Sequence, residues 1–271
     1  MKTMTNEEFS LIPIEKINFK IVYAETHDEG VEEFELHAHD EMEFYIGVAG
    51  DISFLVNNSI YPVSFGDVII SRPGEQHHCI CHSEKDRKYF CIWFSLENNE
   101  FLSSVFENQI NEVLISPNEG QKEQLIKKCY ELLNKEVSSE EKFFDFLQIL
   151  SILKTANGNP HNLLNMPDDL VYMLQYIDNH ISENIKITDM AEELFISEST
   201  IERRFKEWLG TKPGEFIKKK KIVNAAQVLK KGGTVLDAGM AVGYSDNSHF
   251  IKLFKAHYGM TPHKYKKKYY K

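Results

Sequence analysis

The sequence predicts a two-domain protein, with a β-barrel in front and an all-α domain behind. Three observations carry this: strand-like runs up to residue 95, a switch to helical period after it, and an internal repeat in the last hundred residues. A length of 271 residues suits two domains. An apolar content of 42% supplies ordinary buried cores and argues against wholesale disorder.

Residues 1–95 hold FKIVYAE, EFELHAH, MEFYIGV, DISFLVN, SIYPVSF, DVIISR and KYFCIWFS, all short and rich in β-branched and aromatic residues. Gly30, Gly47, Gly50, Asn57-Asn58, Gly66 and Pro73-Gly74 punctuate them. Many closely spaced short strands predict a barrel or sandwich. From residue 96 to 156 the period becomes helical. Leu125, Cys129, Leu132 and Leu133 share one face, and Ser138 with Glu141 forms a capping box for the helix that follows. That helix carries Phe143, Phe146, Leu147, Leu150 and Leu153, with Phe144 and Ile149 off the stripe. It is apolar over more than one face, which fits a brace packed on the barrel or a dimer interface. Residues 157–167, with Gly158, Pro160 and Pro167, read as a linker.

Residues 168–271 repeat themselves. Asp189 matches Asp237; after one extra residue in the turn, Ile201 matches Phe250, Phe205 matches Phe254, Lys206 matches Lys255, Gly210 matches Gly259 and Pro213 matches Pro262. One supersecondary unit is therefore used twice. In the first copy Thr188 is the expected N-cap of a short helix. Ser197 caps a second helix that buries Ile201, Phe205, Trp208 and Leu209. Its other face presents Glu198, Ser199, Glu202, Arg203 and Lys206; in the second copy Asn247, Ser248, Ile251, Lys252 and Lys255 take that place. Two short helices with a polar, basic second helix describe a helix-turn-helix. Both copies put a cation at one helical position, Arg203 and Lys252. The helix between them spans about 18 residues, roughly 27 Å, near the roughly 34 Å between successive major grooves on one DNA face. Its Lys218–Lys221 run reads mainly as a solvated face, with one or two phosphate contacts. The tail from His263 reads as a frayed basic end.

The charge is split accordingly. Residues 1–160 carry 13 Lys and Arg against 28 Asp and Glu, whereas from Thr211 onward 14 basic residues face 3 acidic ones. Only the back suits a polyanion. Residues 168–268 resemble the DNA-binding domain of the AraC/XylS family of bacterial transcription regulators. The likeness lies in S-x-x-x-I-x-R-x-F-K (197–206), V-G-Y (242–244), H-F-I-K-L-F-K (249–255) and G-M-T-P-H-K-Y (259–265). It implies double-stranded DNA as partner, with the two second helices in consecutive major grooves. The contact residues it implies are Ser199, Thr200, Glu202, Arg203 and Lys206, then Asn247, Ser248, His249, Lys252 and Lys255. Arg203 is the best guanine reader. Lys252 and Lys221 stand where the family commonly has Arg, and Gly239 where it commonly has Ala.

ELHAHDEMEF (35–44) places His37, His39 and Glu43 at even spacing, which on an extended chain aims them at one face. The pattern H-x-H-x-x-x-E-x6-G, ending at Gly50, with Gly66, Gly74 and His77 beyond, resembles the cupin-type sensor domain of the same family, a double-stranded β-helix. The resemblance implies that His37, His39, Glu43 and His77 line a small-effector pocket, a sugar being the weak prior. As a three-His, one-carboxylate set they also suit a divalent transition metal. The reading is a ligand-responsive regulator and not an enzyme. The alternative is a metal-binding cupin, sensor or metalloenzyme, fused to a DNA-binding domain. A homodimer is expected, with RNA polymerase as partner if the protein activates. No apolar run spans a membrane and the N-terminus lacks a signal-peptide core, so a cytoplasmic protein with reduced Cys79, Cys81, Cys91 and Cys129 is expected.

Overall fold

Side-chain parity builds the front of the molecule. The structure, a computed structural model, describes residues 5–10, 18–26, 36–83, 86–97, 99–134, 136–156 and 164–270. By its contacts the chain divides into two units: Met1–Glu33 with His39–Leu164, and Phe34–Ala38 with Asn165–Lys271.

The first unit contains β1 (Thr5–Ser10), β2 (Asn18–Thr26), β3 (Met42–Ala49), β4 (Ile52–Val56), β5 (Ser59–Val63), β6 (Val68–Ser71), β7 (His77–Cys81), β8 (Arg87–Phe94) and β9 (Leu114–Ile115). They form an antiparallel sheet ordered β1-β2-β8-β3-β6-β9 and a smaller one ordered β5-β4-β7. Alternation gives the large sheet two apolar faces. Met42, Phe44 and Ile46 on β3, with Phe90, Ile92 and Phe94 on β8, belong to one core with helices α1 (Glu100–Asn108), α2 (Glu119–Leu133) and α3 (Ser139–Thr155). Glu43 and Tyr45, of opposite parity, meet the small sheet: Tyr45 packs on Phe54 of β4 with ring centroids 4.7 Å apart. The strand-rich front predicts a barrel or sandwich, and this is the cupin-like barrel that the family resemblance implies.

The helical segment braces that barrel. Phe146 of α3 stacks on Phe19 of β2 at 5.2 Å, and Ile149, Leu150 and Leu153 are buried beside it. The capping box at α3 is present, Ser138 and Glu141 each bonding the other's backbone N–H. Phe101, Tyr130 and Phe144 remain exposed.

Two local expectations need correction, and a third is not tested. EFELHAH is not a continuous strand: residues 33–35 lie outside the described ones, and bends at Asp40 and Glu41 break the extended run before β3. β1 and β9 add strands that the sequence reading lacks. Most of the linker, 157–163, lies outside the described residues.

The second unit is helical: α4 (Asp168–Asn179), α5 (Ile187–Glu193), α6 (Glu198–Leu209), α7 (Pro213–Lys230), α8 (Val235–Ala241), α9 (Asn247–Tyr258) and α10 (Pro262–Tyr269). The repeat is visible in the caps. α6 and α9 both end at a left-handed glycine, Gly210 (φ 65°) and Gly259 (φ 66°), and α7 and α10 both start on the matched proline. Ile201, Phe205 and Leu209 bury the inner face of α6; Phe250 and Phe254 do so for α9. Ile222, Ala225 and Leu229 of α7 share a core with α8, α9 and Tyr265 of α10. Thr188 is not a cap: α5 starts at Ile187 behind Lys186, without a side-chain cap. Nor is the tail frayed. Tyr265 is buried against Phe254 and Tyr258, and Lys266 Nζ donates to the Gly232 carbonyl at 2.8 Å.

Candidate functional site

The barrel holds a polar cluster in an apolar wall. Glu43 lies on β3 with parity towards the small sheet, and His77 opens β7 of that sheet; they are 6% and 1% exposed. His39 comes from the bent segment before β3, its side chain 20% exposed. His39 Nε2 is 2.9 Å from Glu43 Oε2, and His77 Nε2 is 3.0 Å from the same oxygen. The structure thus brings His39, Glu43 and His77 together, but not by the alternation expected: the bend, and not an extended chain, turns His39 onto Glu43. His37 is half-buried two residues before His39, in the short segment grouped with the second unit.

Proton placement follows from the neighbours. His39 Nδ1 lies 3.0 Å from the Glu41 carbonyl oxygen and His77 Nδ1 lies 3.0 Å from the Glu75 carbonyl oxygen. A carbonyl only accepts, so each Nδ1 carries the proton. In the neutral rings both Nε2 lone pairs then face one carboxylate oxygen. Three electron-rich atoms at a buried point require positive charge there, supplied by protons on the imidazoles or by a cation. A ligand His whose other nitrogen donates to a carbonyl is the usual arrangement around bound metal, so the donor set fits a divalent transition ion. The electrostatics agree. Burial alone disfavours the charged form of both groups. The Glu43 bond and charge nevertheless lift His39 above its usual value, and the bonds from His39 and His77 hold Glu43 well below the usual carboxylate range.

A second candidate surface lies on α6 and α9. Ser199, Glu202, Arg203 and Lys206 are exposed on α6, with Thr200 half-buried; Asn247, Ser248, His249, Lys252 and Lys255 are exposed on α9. Ile251, expected on that face, packs partly against the core. Ser197 caps α6 through Thr200 N at 3.2 Å, and Asp246 caps α9 through Ser248 N at 2.8 Å and His249 N at 3.2 Å. These caps fix where the first turn of each helix points.

Neighbouring cations have opposite fates. The Arg203 side chain is 56% exposed with Glu207 3.9 Å away, whereas Arg204 Nε donates to Asp169 Oδ2 of α4 at 2.9 Å. On α7, Lys220 and Lys221 are buried, against the expectation of a solvated run. Lys220 pairs with Asp178 at 2.6 Å; Lys221 Nζ donates to the Glu183 carbonyl and, at 2.7 Å, to the Val242 carbonyl. Helical spacing held that signal, since 216, 217, 220 and 221 fall on one face with Phe216 and Ile217. Nothing comparable announces Asp169 as the partner of Arg204.

Residues 19–154 match the family model of an AraC-like ligand binding domain, and residues 190–268 match that of a helix-turn-helix domain. The chain is 25% identical over 118 residues to the HTH-type transcriptional activator RhaS of Escherichia coli, covering 43% of this chain and 42% of that protein. The match thus spans less than half the length of these curated relatives. Among solved structures, ToxT from Vibrio cholerae O395 covers 99% of this chain and 98% of its own, at 14% identity and TM-score 0.40. An AraC-type DNA-binding regulator from Chromobacterium violaceum covers 37% of this chain and 91% of its own, at 25% identity and TM-score 0.35.

Proposed function

The chain belongs to the family of regulators that join an AraC-like ligand binding domain to a helix-turn-helix domain, and on that premise we propose that it is a sequence-specific transcription regulator answering to a small effector in its barrel. The observation that carries the reading is the pair of capped helices α6 and α9, each buried on one face and polar to basic on the other. Arg203 reads a guanine; Ser199, Thr200, Glu202, Asn247, Ser248, His249 and Lys252 contact neighbouring base edges, and Lys206 and Lys255 neutralise phosphates.

In the barrel, His39, Glu43 and His77 line the effector pocket. Their donor set also suits a divalent transition ion, with His37, two residues upstream, as a further ligand. Bound there, the ion would supply a Lewis-acidic contact for an effector. The protein's work is regulation and not catalysis. We place it in the cytoplasm as a homodimer, through the α1–α3 face that leaves Phe101, Tyr130 and Phe144 exposed. If it activates, RNA polymerase is its further partner. The domain limits we assign are residues 1–95 for the barrel, 96–156 for the brace, 157–167 for the linker and 168–271 for the DNA reader.

Selection of binding duplexes from a random pool tests the reading. Enrichment of one sequence, with affinity falling steeply as salt rises, is expected. A pool that stays random after selection would sink it.

A further inference from the structure

The effector set leaves unused a second group in the barrel wall, on the opposite end of β7. Cys79 and Cys81 share one face of that strand, Cys79 buried and Cys81 exposed. Arg87, at the start of β8 and only 8% exposed, donates from Nη1 to Cys81 Sγ. The neighbouring Cys79 thiol and the Arg87 charge bring the Cys81 thiol down to about 6 against the cost of burial. The remaining cysteines are different in kind: Cys91 and Cys129 are buried, and burial raises the Cys129 thiol.

A thiol on an exposed residue, held by a buried guanidinium and beside a second thiol, is the arrangement that makes a cysteine nucleophilic. We infer that Cys81 is a covalent modification site that reacts with hydroperoxides, independently of the His39, Glu43 and His77 set. The Cys81 sulfur attacks the distal peroxide oxygen. The S–O bond forms as the O–O bond breaks, and sulfur loses two electrons to the peroxide. The departing hydroxide, or the alkoxide of an organic hydroperoxide, takes a proton from solvent and leaves as water or the alcohol. Arg87 holds the sulfur as anion beforehand and faces the oxygen charge that develops as the bond breaks. The product is a sulfenic acid, reversible by thiols.

The experiment uses the full chain without substitution. The protein is treated with about one equivalent of hydrogen peroxide at pH 7 with dimedone present, and the four cysteine peptides are quantified by mass spectrometry. Cys81 is expected to carry the sulfenic-acid adduct at about 10-fold or more over each of Cys79, Cys91 and Cys129. The second measurement is iodoacetamide labelling of Cys81 in the native chain and in urea. A merely surface thiol reacts no faster folded than unfolded, whereas a thiol activated by Arg87 reacts several-fold faster folded. Even labelling by dimedone, or a Cys81 rate that rises on unfolding, overturns the assignment. Neither readout depends on an effector or on DNA, so failure here leaves the regulatory reading standing.

Discussion

If Arg203 reads DNA as proposed, two adjacent arginines on α6 separate that role from holding the fold, and replacing each by alanine should give opposite results. Arg203 is 56% exposed and its nearest carboxylate, on Glu207, lies 3.9 Å away. An exposed pair one helical turn apart contributes roughly 0.3–0.5 kcal/mol. Arg203→Ala should therefore leave the melting temperature within about 2 °C of the parent. If Arg203 reads a guanine through two bonds, its loss costs about 1–3 kcal/mol of specific binding, roughly 5- to 150-fold in Kd, and relaxes one base position. Arg204 reverses the pattern. Its bond to Asp169 is 2.9 Å long with both side chains 24% exposed, between a surface pair and a buried one. Removing it should cost about 1–2 kcal/mol and several degrees of melting temperature. Base preference should be unaffected when binding is measured well below the transition. Fluorescence anisotropy with the selected duplex and its single-base variants, paired with calorimetry, measures both quantities. The docking of α6 is wrong if Arg203→Ala binds every duplex as the parent does, or if Arg204→Ala is the variant that loses base discrimination.

Other consequences are independent of that pair. Elemental analysis of the full chain should find about one equivalent of a divalent transition ion per chain, absent from His77→Ala; a metal-free parent returns His37, His39, Glu43 and His77 to effector lining alone. Trp93 sits across from Glu43 in the β3–β8 register, so titration of stripped protein with a paramagnetic ion should quench its emission, and an unquenched signal at saturation argues against this position. Lys221→Met leaves the Glu183 and Val242 carbonyls without their donor and should cost about 2 kcal/mol in urea unfolding of the helical unit; a parent-like midpoint rejects the clamp. Gly243 has φ 75°, and an added Cβ would lie 2.7 Å from the backbone oxygens of both Ser182 and Glu183, so Gly243→Ala should destabilise by about 2 kcal/mol or more. A variant that melts with the parent refutes that packing. Lys220→Ala should lower stability without changing the slope of DNA affinity against salt, because Lys220 is engaged with Asp178; a shallower slope would make it a phosphate contact.

The helical half was legible because its signals are local. Ser197 occupies the cap expected of it, and the repeat-matched residues act within a turn of where they stand, Gly210 and Gly259 ending helices and Pro213 and Pro262 opening them. Thr188 misled because a good capping residue two positions late competes with nothing in the sequence, while the fold puts the N-cap of α5 at Lys186. Lys220 and Lys221 run against what their charge suggests, because helical register places them on the face that Phe216 and Ile217 turn inward. In the barrel, residue types were informative and backbone path was not. His39 reaches Glu43 through bends at Asp40 and Glu41, and a bend has no period to read. His77 joins them from a strand of the other sheet, a pairing fixed by topology and not by spacing.

Linkage sets what the barrel must accomplish if it governs DNA binding. An effector with equal affinity for the DNA-bound and free arrangements changes nothing, however tightly it is held. A tenfold change in operator affinity needs about 1.4 kcal/mol of difference between the two. That is the scale of one hydrogen bond to a charged group, and the barrel supplies such groups: a buried carboxylate with two imidazoles directed at one of its oxygens, in a wall otherwise lined by Tyr45, Phe54 and their neighbours. Displacing or redirecting one of those bonds is therefore enough, and no wholesale refolding is called for. Reciprocity makes the argument measurable without knowing which state transcription favours. Saturating operator must shift effector affinity by the same factor by which effector shifts operator affinity. A ligand that binds the barrel identically with and without operator is a passenger and not the signal.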